Sequence, residues 1–322
     1  MRILVVLPTR LSEAVLAGGC LAELTRRYPE ARFTLAANRL VAPLYGAMPQ
    51  LERIVLMESR PSSLHSLSLW FRSATTLWSL VVDLGSGAFS RVLPALRRRR
   101  IGPADRTRHW VTQTAQSLET PSPARLQLWL AAAHRSAAER LLPEASTAVL
   151  AIGPTANRVG KMWPVERFAE AALALTAAAG PLSDAHIAVI AAKHERALAN
   201  PLLARLPRER RLDWIGRAPL PVLAAALQRC SLYIGNDSGP MHLAAAAGCP
   251  TLGLFGPTDA SRSGPWGPQT ATVRTAESYE AFLARPGFNP AAQDDCMDGL
   301  EVGPVVEAAG QLLQGLQNPS KL

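Results

Sequence analysis

The chain has 322 residues and 34.5 kDa, a length that suits two domains of roughly 150 residues each. Apolar side chains make up 48% and charged ones 18%, which excludes a disordered chain. The net charge of +9 is unevenly placed: residues 1–148 carry 19 basic and 10 acidic side chains, whereas residues 149–322 carry 15 of each. The first half is therefore expected to meet an anionic partner, and the second half need not.

Ile3–Leu7 reads as a buried strand. It is too short for a signal-peptide core, and no small-residue cleavage site follows it. A helix is predicted over Glu13 to Tyr28, closed by Pro29. Strands follow at Phe33–Ala36, Ile54–Met57 and Leu80–Leu84, with a helix over Ser63–Thr76. Arg91–Arg97 has a helical pattern, Ile101 begins a short strand, and Arg125–Leu142 is a helix. The polar, Pro-led stretch Pro143 to Thr147 marks a boundary between domains 1–147 and 148–322.

The pattern then restarts. Ala148–Ile152 is a strand, Pro164–Ala179 a helix with proline at its opening, and Ile187–Ala191 a strand. Glu195–Arg205 and Leu220–Arg229 are helices flanking a strand at Leu212–Ile215. Leu232–Ile234, Met241–Ala247 and Thr251–Phe255 read strand, helix, strand. Residues 260–298 are irregular, and Val302–Leu316 is a final helix. Two successive βα arrays predict an α/β fold of two parallel sheets, with ligands at the carboxyl ends of the strands in a cleft between domains. Between Asp237 and Asp259 lie 21 residues without a formal charge, but Gly239-Pro240, Gly248 and Pro250 break them into a buried helix and a strand. Cys20, Cys230, Cys249 and Cys296 form no CxxC and read as small core residues of a reducing compartment, so a cytoplasmic protein is expected.

The most informative segment is Gly235-Asn236-Asp237-Ser238-Gly239-Pro240-Met241-His242. A strand ends, a polar turn follows, and a helix opens whose orphan N–H groups and dipole favour an anion. Ser238 adds a hydroxyl, Gly239 allows close approach, and His242 lies one turn in. A capped structural helix would account for Ser238 and Gly239, but not for Asp237 and His242 beside them. A second loop, Gly153 to Pro164, carries Thr155 and Lys161, one of only three lysines among 34 basic residues. It is not a P-loop: six residues, not four, separate Gly153 from Gly160, and Met162 stands where Ser or Thr should hold magnesium. On this segment alone, a diphosphate contact and a solvated lysine are both open. Glu13, at a helix start after the first strand, is either a general base or a complement to the helix dipole.

Other patterns fail. Asp83-Leu84-Gly85-Ser86-Gly87 has the look of a methyltransferase turn, but Phe89 stands where a small residue is needed and the motif does not follow the first strand. Asp237-Ser238-Gly239-Pro240 echoes a serine-protease loop on the wrong fold class. No DxD occurs, so a metal-clamped sugar-nucleotide site of that type is not supported.

Asn236 through Ala246, continuing to Phe255-Gly256-Pro257-Thr258-Asp259, resembles the signature of glycosyltransferase family 9, the family of the lipopolysaccharide heptosyltransferases. Lys161-Met162-Trp163-Pro164 with Arg167-Phe168-Ala169 resembles its second block, and Met1 to Val6 with Arg10 to Leu16 its first. Cys296-Met297 and the last helix resemble its ending. The resemblance implies a GT-B fold of two Rossmann-like domains facing a central cleft, with helix 302–316 crossing back to the first. It implies inverting transfer of heptose from an ADP-activated donor to a lipopolysaccharide core acceptor, with no metal and no other cofactor. Domain 1–147 would take an anionic glycolipid acceptor, and domain 148–322 the nucleotide-sugar.

On the same resemblance, Thr155 and Lys161 meet the diphosphate, and Ser238 and Gly239 cradle it. Asp237 and His242 hold donor hydroxyls and phosphate. Glu195 takes the ribose, although Ala191-Ala192-Lys193 departs from the family's Gly-Gly-Pro. Glu13 is the base, replacing the family's Asp by a carboxylate on a longer arm, which can shift it by about an ångström. Arg97–Arg100 and Arg106–Arg108 could rest on inner-membrane headgroups or form a solvated face. Nucleic acid is not expected, because no binding module accompanies the charge. The alternatives are a non-catalytic relative that binds a nucleotide-sugar or glycan, and an S-adenosylmethionine-dependent methyltransferase.

Overall fold

The computed structural model describes residues 1–57, 73–85, 89–102, 105, 107–120, 122–143, 147–289 and 295–317. The chain divides into two compact units, Met1–Ala131 and Ala132–Leu322.

The first unit carries strands β1 (Arg2–Val6), β2 (Arg32–Asn38), β3 (Leu51–Met57), β4 (Leu80–Asp83) and β5 (Arg98–Arg100), in the order β3-β2-β1-β4-β5. Every pairing is parallel. The central strand β1 is buried along Ile3 to Val6, as a continuous apolar run in a sheet covered on both faces requires. The helix expected over Glu13 to Tyr28 is two helices, α1 (Leu11–Leu16) and α2 (Gly18–Arg27). The break has a steric use. A Cβ on Gly18 would lie 2.6 Å from the Gln127 carbonyl oxygen, and one on Gly19 2.9 Å from that of Ala124. The start of α2 therefore rests directly on the backbone of the 124–127 segment.

Two further expectations fail here. Arg91–Arg97 is not a regular helix, and the arginine run itself forms β5, paired with β4 in register Val81↔Arg98 to Asp83↔Arg100. Helix α3 (Trp110–Ser117) is not expected from the sequence, because its buried face includes Gln113 and Thr114 beside Val111 and Ala115 and so does not read as apolar. The helix predicted over Ser63–Thr76 lies mostly outside the described residues.

The second unit begins with α4 (Ala132–Glu139), shorter than the helix expected from Arg125. It then runs β6 (Val149–Gly153), α5 (Val165–Thr176), β7 (His186–Val189), α6 (Arg196–Arg205), β8 (Arg211–Asp213) and α7 (Leu220–Leu227). It continues with β9 (Leu232–Asn236), α8 (Gly239–Ala247), β10 (Thr251–Phe255), α9 (Ala260–Ser263), β11 (Thr270–Arg274), α10 (Tyr279–Ala284) and α11 (Val302–Gln317). The sheet order is β11-β10-β9-β6-β7-β8, again all parallel. The division between units falls at Ala131, upstream of the expected 143–147, because α4 packs on α7 and the Trp214 indole N–H donates to the Leu141 carbonyl at 2.9 Å. The segment read as irregular holds β11, which extends the sheet beside β10. Helix α11 lies on α5, β10 and β11.

The core of this unit centres on Trp163 and Phe168, packed edge to face with centroids 4.9 Å apart. None of the four cysteines is in a disulfide and all are buried, as core residues should be. Burial pushes the Cys20 and Cys230 thiols up to about 12 and Cys249 well above its usual range.

Gly18→Ala should destabilise the chain by about 1–3 kcal/mol through backbone overpacking. Gly310→Ala, in α11 with nothing within 4 Å of the added Cβ, should stabilise it by about 0.5–1 kcal/mol. Urea unfolding of the two variants measures both signs.

Candidate functional site

Strands β6 and β9 are neighbours in the second sheet, and the strand order reverses between them. Loops leaving the carboxyl ends of two such strands diverge to opposite faces and open a crevice where ligands of parallel sheets bind. Here those loops are 154–164 and 237–238, the two segments singled out in the sequence.

One fully buried side chain fixes them together. The Asn236 amide accepts from the Trp163 backbone N–H at 3.0 Å and donates to the Pro154 carbonyl at 2.8 Å. Both ends of the first loop are thereby tied to the end of β9. Lys161 crosses the gap between loops. Its Nζ lies 2.5 Å from Asp237 Oδ2 and donates to the Asp237 carbonyl at 3.3 Å. Both side chains are largely buried, 15% and 8% exposed, so neither can lose the other without stranding a desolvated charge.

Beside the pair, α8 begins. Ser238 is its N-cap in extended conformation, but its hydroxyl does not bond the helix. Pro240 falls in the first turn, where a missing N–H costs nothing. Ser238 Oγ is buried without a well-formed hydrogen bond and lies beside the Tyr233 hydroxyl, which is likewise buried. Burial pushes the Tyr233 phenol above its usual range, and the neighbouring Ser238 hydroxyl partly opposes that. The Tyr233 ring occupies space that only glycines leave: a Cβ on Gly153 would lie 1.9 Å from its hydroxyl and one on Gly235 2.4 Å. His242 is buried one turn into α8. The helix ends at Gly248 with φ +84°, the left-handed cap that favours glycine.

Thr155 and Glu195 meet on the other side of the loop. The Thr155 hydroxyl donates to Glu195 Oε2 at 3.0 Å, and the same oxygen accepts from the Ala192 N–H at 2.9 Å. Glu195 therefore orders the turn before α6, and Thr155 directs its hydroxyl at that carboxylate. Lys161, Asp237, Ser238, Gly239 and His242 thus gather around the start of α8, with Thr155 and Glu195 forming an adjoining pair. Sequence reading missed Asn236 and Tyr233 as parts of this arrangement. The available signal was a buried amide and a large phenol in a strand that otherwise ends in glycine.

Glu13 belongs to the first unit. It sits in the first turn of α1, after β1, which neighbours β4 where the order of that sheet reverses. Its carboxylate is 34% exposed and lies 3.5 Å from the solvated Arg10 guanidinium, a pairing weak enough to leave it available. The residues behind the methyltransferase reading are spent on structure. Asp83 is buried and accepts from the Ser90 hydroxyl and, at 3.0 Å, from the Gly85 N–H, with Arg100 Nε 3.6 Å away. Ser86 and Gly87 of that motif lie outside the described residues.

The family model for glycosyltransferase family 9 (heptosyltransferase) matches residues 74–286. The chain belongs to glycosyltransferase family 9. It is 28% identical over 171 residues to a lipooligosaccharide heptosyltransferase 2 of Campylobacter jejuni serotype O:2, a match over 52% of this chain and only about half, 51%, of that relative. To the serotype O:6 protein of the same description it is 24% identical over 296 residues, 85% of this chain and 87% of the relative. The solved structure of the Escherichia coli ADP-heptose lps heptosyltransferase II superposes with TM-score 0.79 at 18% identity, covering 98% of this chain and 100% of that one. The fold of this family member is thus the GT-B type, and the methyltransferase reading is set aside.

Lys161→Met should destabilise the chain by about 3 kcal/mol, because it strands the buried Asp237 carboxylate. Adding Asp237→Asn should recover most of that loss, and a double-mutant cycle by urea unfolding reads the coupling.

Proposed function

We propose that this family 9 chain is an inverting, metal-independent heptosyltransferase, moving heptose from ADP-heptose to a lipopolysaccharide core or related anionic glycolipid. The observation that carries the reading is the convergence of the Lys161 ammonium, the Ser238 hydroxyl and the start of α8 at one crevice. Such a set meets a diphosphate with a point charge, a hydroxyl and backbone N–H groups aligned with a helix dipole. The sugar and base are proposed from the relatives, which are described as heptosyltransferases, one of them acting with ADP-heptose.

In this mechanism the Glu13 carboxylate takes the proton from an acceptor hydroxyl as its oxygen attacks the anomeric carbon from the face opposite the leaving group. The bond from that carbon to the phosphate oxygen breaks, and ADP departs with the electron pair. Lys161 and the start of α8 hold the charge that grows on the diphosphate. Asp237 has two uses in this scheme: it keeps Lys161 extended across the crevice, and it accepts from donor hydroxyls once the ammonium turns to phosphate. His242 and Gly239 border the same phosphate, Thr155 supports it from the adjoining loop, and Glu195 takes the ribose. The basic surplus of residues 1–148 suits an acceptor bearing phosphates and acidic sugars. Among the described residues, no helix is long and apolar enough to cross a membrane.

Glu13→Gln should lower ADP release with ADP-heptose and a core acceptor by about 10²–10⁴-fold, with ADP affinity unchanged by calorimetry. Glu13→Asp should retain turnover. Lys161→Met/Asp237→Asn should instead lower both, with ADP affinity reduced about tenfold or more and turnover falling as well. EDTA should leave the parent rate unchanged. Full turnover by Glu13→Gln would remove the carboxylate from the mechanism.

A further inference from the structure

Glu13 stands on a weak support. Helix α1 has six residues, and its N-cap, Arg10, makes no side-chain bond to it among the described residues. A helix that short does not hold itself in water, so its place is set by tertiary contacts. The segment before it peels off the sheet: the Leu7 N–H still donates to the Ala36 carbonyl at 2.9 Å, but Thr9 and Arg10 are exposed. A carboxylate carried on such a segment keeps a fixed distance to a reacting hydroxyl only if the backbone beneath it is pinned.

Two buried polar side chains pin it, one on each side. Asn38 ends β2, the strand beside β1, and is 6% exposed. Its Oδ1 accepts from the Val41 N–H at 2.9 Å, which closes its own turn, and its Nδ2 donates across to the Thr9 carbonyl at 2.7 Å. The turn needs only the first bond. The second commits the amide to a solvent-facing loop 29 residues upstream. Asn236 acts alike at the end of β9, where its amide reaches the loop after the neighbouring β6. Tyr45 closes the 3-10 turn Ala42–Tyr45, and its fully buried hydroxyl donates at 2.5 Å to the carbonyl of Ala14, the residue after Glu13. Burial pushes the phenol far above its usual range, so it stays a donor at any assay pH. The Trp129 ring meets the Tyr45 ring edge to face, with centroids 6.3 Å apart, and so helps fix where the hydroxyl points.

We propose that Asn38 and Tyr45 are positioning residues for the Glu13 carboxylate, the amide holding the backbone before it and the phenol the backbone after it. The inference rests on the reading of Glu13 as the base. Both side chains act through the main chain, from beneath the loop and helix that carry the carboxylate. Their hold lets a glutamate, with one more rotatable bond than an aspartate, serve at a defined place.

Tyr45→Phe removes one oxygen. Asn38→Ser keeps a hydroxyl for the Val41 N–H and loses the reach to Thr9. With ADP-heptose and a core acceptor, each should lower kcat for ADP release about ten- to a hundredfold, while both KM values stay within about twofold. In a Glu13→Gln background neither should cost anything further, because both act through that carboxylate. Hydrogen exchange gives a readout that needs no turnover. The Ala14 and Ala17 amides, which donate to the Arg10 and Glu13 carbonyls, should exchange at least about tenfold faster in both variants, with β1 amides at the parental rate. Val55→Ala, buried in β3, controls for a general loss of stability and should keep the parental kcat. Full turnover by Glu13→Gln overturns the base reading and this inference with it. An inactive Glu13→Gln beside parental kcat in either positioning variant overturns this inference alone. So does parental exchange in α1, or a loss that multiplies with that of Glu13→Gln. Should Tyr45→Phe not fold, Asn38→Ser carries every readout.

Discussion

The second unit depends on one amide. Asn236 is wholly buried at the tip of a central strand, and it satisfies a donor and an acceptor on either side of the neighbouring loop. A buried amide can hold two backbones at a fixed spacing because its two ends have opposite hydrogen-bonding character. With the loop fixed, Lys161 can extend toward Asp237 at low entropic cost, and the start of α8 presents its N–H groups to a defined place. The geometry of this crevice therefore rests on a residue buried behind it.

The ion pair at the crevice changes what the lysine means. A bare ammonium in a nearly buried pocket would be costly, and Asp237 removes that cost. The same pairing makes Asp237 a competitor for any phosphate. Under the proposed function, phosphate binding there would be an exchange of one anion for another, which favours a ligand with more charge and more oxygens than a single carboxylate.

Much of this was legible in the letters. The alternation of apolar strands and Ala/Leu-rich helices placed the central strands of both sheets within a residue or two, because fully buried strands leave a continuous apolar run. The polar turn before α8 was readable because Asp, Ser, Gly and Pro each have a local reason to stand there. What stayed hidden was non-local. Periodicity does not register that the Gln127 backbone presses on Gly18, so one helix was expected where two exist. The arginine run concealed a strand, since its extended form is set by pairing with β4 and not by propensity. Helix α4 was joined to the wrong half because the feature that decides, its packing on α7, lies some 80 residues away in sequence. The pairing of Thr155 with Glu195, 40 residues apart, was equally out of reach.

The outermost strand of the first sheet has a further meaning. β5 is three consecutive arginines and the outermost strand of its sheet among the described residues, a position where N–H and C=O groups can invite another chain to add a strand. Long cationic side chains on an outermost strand are a recognised guard against edge-to-edge pairing, and here Arg99 and Arg100 are in addition held by Glu119 and Asp83.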